Sequence, residues 1–170
     1  CYRSGAACCY FRYTHIIYAN THGFTGSYRT TSFSLSVSPI AAQNGSMQRD
    51  SWYSIKRRFD LLDSPETVGR IAAERTVRRI GARKVATCQG PVIFDPETAA
   101  TLLQNLFMAL SGYSIYKGAS FLRGQLEKSI ASERVTVFDD GTIRTGLGSK
   151  PFDGEGTPTR KTPVVDKGIL

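Results

Sequence analysis

Few residues of this chain are spaced for chemistry. Two histidines, His15 and His22, lie seven apart across a turn signal. Cys8 and Cys9 are adjacent, with Cys1 before them and Cys88 far along the chain. Together these could suggest a metal site, but the spacing matches no zinc-finger or zinc-ribbon pattern. Asp153 and Glu155 flank Gly154 and could hold a cation or an amine, although ordinary loop acids account for them more simply. Asp139-Asp140-Gly141 reads as turn chemistry. The stretches "GLG" and "GEG" lack the strand-then-helix context of a phosphate loop. No Ser or Cys has a base nearby, so nucleophilic catalysis has no support. One feature stands apart: the amide pair Gln104-Asn105, set in an otherwise apolar helical segment, "DPETAATLLQNLFMAL".

The elements that must position these residues follow from pattern. "THIIYANTHGFTGSY" reads as strand, turn at Asn20 to Gly23, and strand. "TSFSLSVS" alternates with Phe33, Leu35 and Val37 on one face, the period of a half-buried strand. Asn44-Gly45 is a strong hairpin signal. A return strand is expected over about Met47 to Phe59. The first third is thus an antiparallel meander. A helix follows from Pro65, with Ser64 as cap, Glu66 at the positive dipole end and Glu74 spaced to pair with Arg70 and Arg78.

After about Gly81 to Arg83 the character changes. Val92, Ile93 and Phe94 read as a short buried strand. Asp95 caps a second helix with Pro96 at its first position. Leu102, Leu103, Leu106, Phe107 and Leu110 cover two faces, so this helix is expected to be buried on most sides. "SFLRGQLEKSIASER" suggests a short helix, and Arg134 to Phe138 a strand. The tail, rich in Gly and Pro, reads as loop with short edge strands. The fold class is α+β: an antiparallel β meander with a helix, then the start of a mostly β domain containing a buried helix. Residues 1–82 and 83–170 are the expected domain pieces.

Composition sets further bounds. At 41% hydrophobic and 21% charged the chain is globular. No apolar run reaches the ~20 residues that cross a bilayer. The net charge of +8 favours acidic partners. Yet six of the 22 basic residues, between Arg70 and Lys84, gather towards one helix end, where cations complement the dipole. No nucleic-acid recognition motif accompanies them. Both ends read as cut, so the chain is taken as an internal fragment.

The segments "YANTHGFTGSYRTTSFSLSV", "GPVIFDPETAATLL", "YKGASFLRGQL" and "KPFDGEGTPT…DKGIL", in order from about Tyr18 to Leu170, resemble the TldD/PmbA family. Cys1 to Ile17 lie outside the resemblance. It implies the end of an N-terminal α/β domain followed by the start of a β-rich C-terminal one. In the TldD branch, a helix after the "GPV" strand carries His-Glu-x-x-x-His, two zinc ligands and a Glu that activates water. By resemblance Gln104 and Asn105 stand at the first His and the Glu, and Met108 or Ala109 at the second His. None can play those parts. The chain is therefore similar to the PmbA/TldE branch. That implies a non-catalytic, cytoplasmic subunit with no cofactor of its own, paired with a TldD-like paralogue that carries the zinc and acting on flexible peptides. Asp153, Glu155 and Gly156 form its candidate peptide-channel loop. Two alternatives stay open: a metallopeptidase completed by residues outside the fragment, and a basic nucleic-acid or gyrase-linked regulator.

Overall fold

The computed structural model describes residues 2–170, with side chains from residue 5 onward. The chain divides into two compact units, Cys1–Lys84 with Asp140–Lys161, and Val85–Asp139 with Thr162–Leu170.

The first unit is built on a long antiparallel hairpin, β1 (Tyr2–Ala19) and β2 (Thr25–Gln43). Its turn is made by Asn20, whose Oδ1 accepts from the backbone N–H of His22 (3.0 Å) and Phe24 (3.1 Å). That is the local side-chain closure for which Asn is favoured in turns. The second turn is as tight as the sequence demands. Asn44 and Gly45 both have positive φ, 49° and 78°, and join β2 to β3 (Ser46–Arg49). β4 (Trp52–Lys56) also pairs with β2, so β2 is central, with β1 along one side and β3 and β4 along the other. The single return strand expected from the sequence is thus two, broken at Asp50 and Ser51. There the Asp50 carboxylate accepts from the Ser51 N–H (2.8 Å).

Helix α1 (Pro65–Arg78) covers the sheet. Ser64 caps it, accepting from the Thr67 N–H at 3.2 Å. Val68, Ala72 and Thr76, four apart, are buried, the helical period seating one stripe on the sheet. Thr76 resolves its buried hydroxyl by donating to the Ala72 carbonyl (2.8 Å). Arg70 pairs with Glu74 at 2.9 Å. Arg75 stacks on Trp52, 5.0 Å from the ring centre. Arg75 and Arg79 also approach the Asp50 carboxylate at 3.7 and 3.6 Å.

The second unit holds helix α2 (Pro96–Leu110), the short helix α3 (Gly112–Tyr116) and all but one end residue of each of the paired strands β5 (Val137–Asp140) and β6 (Lys161–Val165). Three expectations fail here. Residues 92–94 form no strand, and Ile93 is 97% exposed. An apolar run becomes a strand only beside another backbone, and none pairs with it among the described residues. The helix expected over "SFLRGQLEKSIASER" is replaced by turns. Gly118, Gly124 and Glu127 have φ of 68°, 71° and 63°, which interrupts helical geometry. The N–H groups of Glu127 and Ile130 instead donate to the carbonyls of Leu170 and Gly168, each at 2.9 Å. Finally, α2 is not enclosed. Only Ala109 is buried, while Leu102 and Leu103 are 50% and 46% exposed. Two apolar faces state a demand for cover, and the elements packed here meet little of it.

Candidate functional site

Asp95 and Pro96 start α2 as expected: the Asp95 carboxylate accepts from the Glu97 N–H at 3.1 Å. One turn before the amide pair, the Thr101 hydroxyl donates to the Thr98 carbonyl (2.6 Å). Asn105 then donates through Nδ2 to the Thr101 carbonyl (2.9 Å). Its amide therefore serves the helix's own backbone, the role that polar side chains take in a helix when no other partner calls on them. Gln104 and Met108 are exposed. Ala109 is buried, and its carbonyl accepts from the Ser120 hydroxyl at 2.6 Å. Ser120 in turn accepts from the Leu122 N–H (3.0 Å), so this serine ties the end of α2 to the following turn.

The four α2 positions do not fit a zinc ion. An amide oxygen is a weak ligand, Asn cannot take a proton from water, and Met and Ala supply neither imidazole nor carboxylate. Among the described residues, no group of three His, Cys, Asp or Glu side chains lies close enough to share a metal. His15 sits opposite Arg29 on the exposed hairpin, and His22 in its turn.

The loop at 153–156 belongs to the first unit. The Asp153 carboxylate accepts from the N–H groups of Glu155 (2.8 Å) and Thr157 (2.9 Å). Those backbone donors hold its pKa below the ordinary carboxylate range against an opposing desolvation, with a smaller contribution from the Lys150 charge. Asp153 is thus an organiser of the loop, and Glu155 is exposed beside it. Asp140 plays a similar part in its own turn, accepting from the N–H and hydroxyl of Thr142 (2.9 and 2.6 Å).

Gly156 is required by space as well as by its φ of 87°. A Cβ there would meet the Phe24 ring at 2.8 Å and the Tyr18 ring at 3.1 Å. Phe152, almost buried, packs against Phe24 with ring centres 5.1 Å apart, and against Tyr18 at 6.4 Å. Asn20 adds a hydrogen bond from Nδ2 to the Glu155 carbonyl (3.4 Å). A second anchor is Arg57. Its guanidinium donates to the carbonyls of Gly146 (3.2 Å), Thr31 (3.3 Å), Ser149 (3.5 Å) and Leu147. Neither Phe152 nor Arg57 is marked as an anchor by its neighbours in sequence, because the partners of each lie far along the chain. The turn signal at Asn20 is local, whereas its reach to residue 155 depends on the fold.

The chain thus holds a loop fastened to the hairpin, and separately a helix whose motif-position side chains are unsuited to metal. Residues 4–80 match the PmbA/TldA metallopeptidase central domain, and residues 87–170 the PmbA/TldA metallopeptidase C-terminal domain. Over 154 residues the chain is 39% identical to the metalloprotease PmbA of Escherichia coli O157:H7, covering 91% of this chain and 34% of that protein. It is 36% identical, over the same shares, to a PmbA homologue of Buchnera aphidicola. The chain therefore spans about a third of the length of these relatives. A crystal structure described as a putative modulator of DNA gyrase from Bacteroides thetaiotaomicron superposes with a TM-score of 0.94 at 27% identity, over 99% of this chain and 39% of that one. TldE from Thermococcus kodakarensis, at 23% identity and a TM-score of 0.69 over 98% of this chain and 37% of that one, shares the fold. With both family domains matched in order along its length, the chain belongs to the PmbA/TldD metalloprotease family.

Proposed function

We propose that this chain is part of a non-catalytic PmbA/TldE-type subunit of a cytoplasmic zinc metalloprotease complex that acts on flexible peptides. A TldD-like paralogue holds the zinc in this reading. Residues 1–82 are the end of one domain and 83–170 the start of the next, a division supported by the family matches over 4–80 and 87–170. The observation that carries the reading is the state of α2. Where the resemblance places the zinc motif, Asn105 donates to its own helix and Met108 lies on the surface. The fastened loop of Asp153, Glu155 and Gly156 then lines the peptide's path.

The experiment is reconstitution. The full-length protein carrying this chain is assayed alone, and then with its zinc-bearing paralogue. Peptide hydrolysis is expected only in the mixture, and a chelator should abolish it. Gln104→Ala and Asn105→Ala should leave it largely intact. Hydrolysis by this subunit alone, at a rate comparable to the mixture, sinks the reading and puts a self-sufficient metallopeptidase first.

The nucleic-acid reading draws on the +8 charge and on the description of the structural neighbour as a gyrase modulator. It is weakened because Arg75 and Arg79, from the basic cluster, are directed to Asp50. A DNA affinity that falls steeply with salt at specific sites would favour it.

A further inference from the structure

Three asparagines occur in the chain, and the structure treats them differently. Asn20 holds its turn, accepting through Oδ1 from His22 and Phe24 and donating through Nδ2 to the Glu155 carbonyl. Asn105 donates to the Thr101 carbonyl of its own helix. Asn44 does neither: among the described residues its side-chain amide has no hydrogen-bond partner. It is exposed, and so are Gln43, Gly45 and Ser46 around it.

The residue that follows decides what an unheld amide can do. Attack on a side-chain carbonyl by the next backbone nitrogen is hindered by the next residue's side chain, and glycine has none. Asn44 alone of the three precedes a glycine. A Cβ placed at Gly45 would meet nothing within 4 Å, so the backbone there has room to move. Asp140-Gly141 and Asp153-Gly154 have the same arrangement but are restrained. Asp140 Oδ1 accepts from the N–H and hydroxyl of Thr142, and a Cβ at Gly141 would meet Thr159 at 2.7 Å. Asp153 Oδ1 accepts from the N–H groups of Glu155 and Thr157. These donors also keep both carboxyls ionised, and a carboxylate resists nucleophilic attack more than an amide does.

We propose that Asn44 is a site of self-modification. The Gly45 nitrogen attacks the Asn44 side-chain carbonyl carbon, forming a C–N bond. The C–N bond to the amide nitrogen breaks, and ammonia leaves with the proton of the Gly45 N–H. Water then opens the succinimide at either carbonyl, giving aspartate or isoaspartate at position 44.

The two products differ in what they do to the fold. Aspartate tolerates positive φ as asparagine does and keeps the turn. Isoaspartate carries the backbone through the former side chain and lengthens it by a methylene. Turn length sets hairpin register, so the pairs from Gln43↔Ser46 to Ile40↔Arg49 lose their alignment. The effect reaches α1. Arg49 donates to the Ser38 hydroxyl (2.8 Å), and Asp50, the next residue, is the carboxylate that Arg75 and Arg79 approach.

The test incubates the full-length protein in warm, mildly alkaline buffer and samples it over days, with unincubated protein as the zero. Trypsin releases residues 30–49, between Arg29 and Arg49. Mass spectrometry reads the change from amide to acid. An isoaspartyl carboxyl methyltransferase with labelled S-adenosylmethionine reads isoaspartate. Conversion at Asn44 is expected about tenfold faster than at Asn20 or Asn105, whose amides must first release their partners. It is expected about tenfold slower than in a synthetic peptide of residues 30–49, because the hairpin end must fray before attack. Asn44→Gly removes the amide and leaves Gly-Gly, a sequence that suits the same turn. The aged parent should unfold at lower urea than the fresh one, while aged and fresh Asn44→Gly should coincide. No conversion in the protein under conditions where the peptide reacts overturns the proposal. So does equal conversion at Asn20 and Asn105. Conversion that leaves the urea midpoint of the parent unchanged overturns the effect on the hairpin.

Discussion

The ring of Phe152 meets that of Tyr28 edge-on, with centres 5.1 Å apart and planes at 83°. The contact joins residues 124 positions apart in sequence and fastens the 152–158 loop near the start of β2. Phe152→Ala should cost about 3–5 kcal/mol, the range for deleting a buried aromatic ring. Urea unfolding followed by tryptophan fluorescence of Trp52 measures it. A loss under ~1 kcal/mol would mean that the loop is held by its hydrogen bonds alone.

Arg57 should act on the neighbouring stretch. Arg57→Ala removes donors to four carbonyls, three of them in residues 146–149. Trypsin cleavage after Arg144 should then accelerate about tenfold, as local opening becomes easier. Arg57→Lys should restore little, because an ammonium cannot span carbonyls that a planar fork reaches.

At the hairpin turn, Gly45→Val should destabilise the protein by about 1–3 kcal/mol, since a β-branched residue resists a φ of 78°. Thermal unfolding reports it. An unchanged midpoint would contradict the turn.

Asp153 gives a pH dependence with a definite sign. Its folded-state pKa lies below its unfolded value because backbone N–H groups favour the carboxylate. Its contribution to stability is therefore present above the unfolded value, about 3.9, and is lost as pH falls through the folded one. Asp153→Asn should be less stable than the parent at pH 7. The difference should narrow below about pH 4, read from denaturant midpoints across pH.

What could be read from sequence was what local chemistry decides. The Asn44-Gly45 turn, the Ser64-Pro65 start of α1 and the Asp95-Pro96 start of α2 each depend on residues within a few positions. Glu74 reached Arg70 as its spacing required. Phe152, Arg57 and the 127–130 segment answer to partners far along the chain, which no window contains. Val92 to Phe94 and the leucines of α2 show another limit: apolarity registers a need for cover without saying what supplies it. From Gly5 through Tyr13 every residue is exposed, so no inside-outside alternation marks that part of β1. For the candidate site, the amide pair was visible as an oddity, whereas the bond from Asn105 to Thr101 needed coordinates.

The unequal reach of these contacts has a kinetic consequence. β1 and β2 join through a turn at Asn20 and can zip outward from it in microseconds. Residues 140–161 return to the same unit only after a span of some fifty residues that belongs to the other. Closing that span is entropically slow and is repaid only once Phe152 docks. The docking is therefore a late event on the way to the native state. In a chevron plot, Phe152→Ala should raise the unfolding arm, and with it the unfolding rate, while the refolding rate stays near that of the parent.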